Sequence, residues 1–122
     1  MAVTIGTIAA ALADTLVSDS AVTDASGTQA NSGATTWYCL RADGTSATSN
    51  SFIKVWDATS GSPDSNNPDY VFPVPTGTNI EYVSSDGNAL AGGLRYWGTS
   101  TRANGSTQAA VSGTLTAKFL LS

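Results

Sequence analysis

A chain of 122 residues that is 41% apolar and 11% charged has enough material for one hydrophobic core and not for two. It has no His, one Cys, and five Lys and Arg against nine Asp and Glu, for a net charge of −4. That composition excludes His-based acid–base chemistry and metal sites, Ser-His-Asp triads and an intrachain disulfide, and it argues against a phosphate-backbone binder. Ser and Thr together supply 33 residues. There is no apolar run of about 20 residues to span a membrane, and the N-terminus lacks the basic and apolar regions of a signal peptide.

Residues 1–33 differ from the rest. Met1 to Val17 is apolar and free of Lys and Arg. Val3, Ile5 and Thr7 alternate as in a strand, whereas Ile8, Leu12 and Leu16 recur at the spacing of a helix face. Ser18 to Gly33 has the composition of a linker. Two readings follow: residues 1–33 contain the first strand of the domain, or they form an arm and linker that dock on a neighbour. The regular pattern then occupies residues 34–122.

Strands are predicted at Thr35–Arg41, Ser51–Trp56, Tyr70–Val74, Asn79–Ser84, Gly93–Gly98 and Gly113–Leu121, separated by Gly, Asn, Asp and Ser-rich turns. Pro73 donates no ladder bond, so its strand belongs at a sheet edge. Asp86-Gly87 reads as a turn ending the fourth of these. Six such strands, or seven or eight with the N-terminal residues, predict an all-β antiparallel sandwich of jelly-roll or immunoglobulin-like type. Alternation assigns Tyr38, Leu40, Ile53, Val55, Val71, Ile80, Tyr82, Leu94, Tyr96, Leu115, Phe119 and Leu121 to the core.

The same alternation turns all three tryptophans away from that core, each with a basic residue nearby: Trp37 with Arg41, Trp56 with Lys54 and Phe52, Trp97 with Arg95. Interfaces are enriched in Trp and Arg, so these seven residues form a candidate interface, joined by Val3, Ile5, Ile8 and Leu12 of the arm. The other reading is that both faces of these strands are covered and the aromatics are ordinary packing.

The loops offer little chemistry. Asp64-Ser65-Asn66-Asn67-Pro68-Asp69 carries oxygens of the kind calcium takes, without the spacing of an EF-hand, and turn chemistry explains it. Glu81 is the single glutamate; a glycosidase pair would have to join it to Asp57. Cys39 reads as a small buried hydrophobe. No catalytic residue, cofactor or metal is expected.

Trp37-Tyr-Cys-Leu-Arg-Ala-Asp-Gly, Phe52-Ile-Lys-Val-Trp-Asp-Ala-Thr, Pro68-Asp-Tyr-Val-Phe-Pro-Val-Pro-Thr-Gly, Gly93-Leu-Arg-Tyr-Trp-Gly and Thr114-Leu-Thr-Ala-Lys-Phe-Leu-Leu follow one another in an order that resembles small virion surface proteins of tailed bacteriophages, of the head decoration (cement) or head-fibre type. The resemblance covers about residues 35–122 and leaves the N-terminal 34 outside. It implies a non-enzymatic β-sandwich on the particle exterior, assembled in the bacterial cytoplasm. Its partners would be the major capsid protein and further copies of itself, with trimers favoured, and not nucleic acid or membrane. A second functional class is a carbohydrate-binding adhesin module of a tail or fibre, with Trp37, Trp56 and Trp97 stacking on sugar rings.

Overall fold

The computed structural model describes residues 15–22 and 27–122. Among these it contains eight strands and no helix: β1 (Thr15–Asp19), β2 (Thr28–Asn31), β3 (Thr35–Asp43), β4 (Ser51–Asp57), β5 (Tyr70–Val74), β6 (Asn79–Leu90), β7 (Leu94–Thr99) and β8 (Thr116–Leu121). Two four-stranded sheets form, with orders β1-β8-β3-β6 and β2-β7-β4-β5. All pairings are antiparallel. First pairs with last, second with seventh, third with sixth and fourth with fifth. The chain is therefore one long hairpin rolled over on itself, closed by β3–β8 and β4–β7 contacts; this is the jelly-roll order.

Two described segments before residue 34 thus belong to the sandwich itself: β1 is an edge of the first sheet and β2 an edge of the second. Val3, Ile5, Ile8 and Leu12 lie outside the described residues. Pro73 sits where its missing N–H does no harm, since β5 is the outer strand of its sheet.

The core fills the space between the sheets. Leu40, Ile53, Val55, Leu94, Tyr96, Leu115, Phe119 and Leu121 are all buried in it, as alternation predicts. Ile80 and Tyr82 pack against it from the edge strand β6 and stay partly exposed. Two assignments are corrected. Tyr38 is only half-buried and Trp37 is in the core, because β3 carries a bulge between Trp37 and Cys39. Over those two residues β8 advances by one, from Leu121 to Leu120. The extra residue reverses the side-chain phase, so Trp37 before the bulge and Leu40 and Ala42 after it face inward. In β5, Phe72 and Val74 face the core while Val71 is exposed; all five residues there are apolar or Pro, so composition does not reveal the phase.

Strand β6 is twice as long as predicted. Asp86-Gly87 does not end it but lies in a broad bulge of residues 84–87, between the pairs Val83–Cys39 and Asn88–Trp37. Gly87 is required there. Its φ is +79°, and a Cβ would lie 2.5 Å from Thr36 Cγ2 and 2.6 Å from the Tyr38 ring. The reversal into β7 comes later, at residues 91–93. Asp57, at the end of β4, holds that turn: its carboxylate accepts hydrogen bonds from the N–H groups of Ala91 (3.0 Å), Gly92 (2.6 Å) and Gly93 (3.2 Å). Asp57→Ala leaves three N–H groups without their charged acceptor. The expected loss is roughly 1–3 kcal/mol in urea unfolding, partly restored by Asp57→Asn; a change within the error of the measurement would show that the turn does not depend on this carboxylate.

Candidate functional site

The predicted interface residues fall on three different surfaces. Trp37 lies between the sheets, edge-on to Tyr70 (5.8 Å between ring centroids) and Phe72 (5.4 Å). Phe52, Lys54, Trp56, Arg95 and Trp97 share the outer face of the second sheet, as alternation on β4 and β7 requires, and the register sets Lys54 beside Trp97 and Trp56 beside Arg95. Arg41 lies on the outer face of the first sheet. The expectation that all three tryptophans turn away from the core is corrected for Trp37, and none is open to solvent: Trp37, Trp56 and Trp97 are only 5%, 4% and 0% exposed.

Loops of the same chain cover the second sheet's outer face. The segment between β7 and β8 folds back across it and is pinned by Lys54, which is fully buried. The Lys54 ammonium donates to Arg102 O (3.3 Å), Ala103 O (2.6 Å) and Gln108 Oε1 (2.9 Å). All three acceptors are neutral. Gln108 is held in turn by its amide, which donates to Ala103 O and Ser106 O, and by its backbone N–H, which donates to Asp64 Oδ1. The β4–β5 loop closes the other side, where Trp56 Nε1 donates to Ser60 O at 3.0 Å. Trp56 meets Trp97 edge-on at 4.0 Å. The Arg95 guanidinium lies 5.5 Å from the Trp56 ring, within cation–π range, and donates to Gln29 Oε1. The basic–aromatic cluster is real but serves internal packing. Phe52 at its margin is half-buried, in a cleft of about 270 Å³ with Pro73, Pro75 and Arg102.

The carboxylates are dispersed. Glu81 pairs with Arg41 (2.6 Å) on the first sheet, and both side chains are about half exposed, a setting in which a pair contributes about 0–1 kcal/mol. Asp57 is in the other sheet, engaged with the turn, so the two share no cleft. Asp69 accepts the Asp57 N–H and Asp64 the Gln108 N–H, so the loop that resembles a calcium ligand set serves the backbone. Among the described residues no group of three or more His, Cys, Asp and Glu is placed to hold a metal.

The outer face of the first sheet carries the feature that sequence reading missed. Leu16 pairs with Leu120, Leu120 with Cys39, and Cys39 with Val83. These four residues make one straight apolar row across all four strands. Leu16 is 58% exposed, Leu120 39% and Val83 68%; Cys39 is half-buried between them. The neighbouring row, two residues along each strand, is Ser18, Lys118, Arg41 and Glu81. Burial and the nearby Glu81 carboxylate push the Cys39 thiol up from its usual pKa. Leu120 on the polar face of the last strand was visible in the period-two pattern; its alignment with three other strands was not.

Fold and surface together define a small eight-stranded jelly-roll protein with a covered aromatic face and an open apolar row. Comparison with protein-family models, with curated proteins and with solved structures found no match.

Proposed function

We propose that this chain is a structural virion protein that decorates the outside of a tailed-phage head and stabilises the shell, after assembly in the bacterial cytoplasm. The observation that carries this reading is the exposed row Leu16–Leu120–Cys39–Val83 on the outer face of the first sheet. Large exposed apolar side chains gathered on one face mark an interaction surface, and the row borders the polar and charged residues Ser18, Lys118, Arg41 and Glu81. The motif order in residues 35–122 supplies the phage context, and the major capsid protein and further copies of the chain, in a trimer, are the partners. The chain acts without catalysis: it binds the assembled shell and stabilises that state by mass action. The carbohydrate-binding reading has less support, since the three indoles it needs are 5% exposed or less.

Undecorated shells of the phage that encodes this protein test the reading. Added protein is expected to co-sediment with them to saturation and to raise the temperature at which they rupture. Absence of co-sedimentation at tens of micromolar protein, with the protein folded, would overturn it.

A further inference from the structure

The apolar row begins at Leu16, one residue from where the described chain starts. The fourteen residues before Thr15 include Val3, Ile5, Ile8 and Leu12, and their single charged side chain is Asp14. The row has the matching apolar character: four uncharged residues, with Ser18, Lys118, Arg41 and Glu81 in the row beside them and Arg41 and Glu81 paired to each other. Length also fits. Four strands span about 14 Å from first to last, whereas fourteen residues reach up to roughly 45–50 Å when extended, enough to pass from one sandwich to the next. Between Thr7 and Val17 there is no Gly, Pro, Asn or Ser and Asp14 is the one turn-forming residue, so a fold back onto the same sheet would have to reverse at Asp14, and the labelling experiment separates that case from a seat on a neighbouring molecule.

We propose that the outer-face row Leu16–Leu120–Cys39–Val83 is the seat of the apolar N-terminal segment, residues 3–12, of a neighbouring copy of this chain. The inference rests on the arm in the functional reading above and gives it a partner, the chain itself. Copies joined this way are linked by exchange of a short segment, and a symmetric ring closes when each copy both gives and receives one.

Cys39 lies in the row, is the chain's single cysteine, and reports on its cover. The full-length protein is followed by light scattering across a dilution series and by the rate at which monobromobimane labels Cys39. Two segment variants, deletion of residues 2–13 and Ile5→Asp with Ile8→Asp, are compared with a face variant, Leu120→Glu with Val83→Glu, whose positions are exposed and leave the core intact. The expected result is an oligomer with slow labelling for the full chain. Both segment variants and the face variant become monomers, with labelling at least tenfold faster and unchanged circular dichroism. An oligomer that survives the segment variants would overturn the proposal, as would a monomeric full-length chain. In the monomeric case, slow labelling relieved by the deletion would place the segment on its own sheet. An oligomer that behaves as expected but does not bind shells would leave this inference standing and remove the decoration reading.

Discussion

Lys54→Ala is expected to cost about 3 kcal/mol or more of stability, the largest effect of any single substitution away from the apolar core. The side chain is fully buried and its ammonium donates three hydrogen bonds to Arg102 O, Ala103 O and Gln108 Oε1. Truncation opens a cavity beside Trp97 and takes the ammonium from all three acceptors, of which Ala103 O keeps the Gln108 amide as a donor. The β7–β8 loop is then no longer fastened over the second sheet. Tryptophan emission should shift to the red and acrylamide quenching should rise, because Trp56 and Trp97 lose their cover. Lys54→Met keeps most of the volume and should cost clearly less than the alanine change. Equal stability of Lys54→Ala and the parent would show that the loop closes without the lysine. Burial also moves the Lys54 ammonium below its ordinary pKa of 10.5. With no carboxylate among its hydrogen-bond partners, the charged form is the costly one. The folded protein therefore releases this proton at lower pH than the unfolded chain does, and Lys54 makes stability rise with pH between the depressed folded value and 10.5.

Tyr96 acts with the opposite sign. Its hydroxyl is buried in the core and donates to Asp19 Oδ2 at 2.6 Å, which ties β7 of one sheet to β1 of the other. Burial first, then the hydrogen bond to Asp19 and the charge on that carboxylate, raise its pKa far above 10. Unfolded tyrosine ionises near pH 10 while the folded side chain keeps its proton. The stability this supplies is complete below about pH 10 and is lost as pH rises beyond it. Urea unfolding between pH 7 and 11.5 should show a shallow rise followed by a steep fall. Lys54→Met should remove the rise. Tyr96→Phe should flatten the fall and cost roughly 1–2 kcal/mol at neutral pH, with β1 the strand most loosened. A fall of unchanged steepness in Tyr96→Phe would assign the alkaline transition to another group. Tyr82, which burial also shifts upward, is the next candidate.

Much of the architecture was readable from residue order. Alternation identified the large inward residues of β4, β7 and β8, because each is a short regular strand with clear period two. Pro73 correctly marked an edge. It failed at β3, where one extra residue at the bulge inverts the phase and brings Trp37 inside, and at β5, where nearly every residue is apolar. It stopped β6 too early, since Asp86-Gly87 has the chemistry of a turn whether the chain then reverses or only bulges. The candidate site was legible in its parts only. The basic and aromatic residues around Trp56 and Trp97 do converge, but a loop distant in sequence covers them, and nothing in local pattern says which sheet face a loop will cross.

By itself the sequence determined an all-β chain of hydroxyl-rich turns with one core and neither His chemistry nor an intrachain disulfide, because composition and two-residue periodicity are local properties. Tertiary structure decided the jelly-roll pairing, the burial of Lys54 and all three tryptophans, and the alignment of Leu16, Leu120, Cys39 and Val83 into one exposed row. Each of these depends on the register between strands and on loop paths, and register is set by long-range pairing that no single strand encodes.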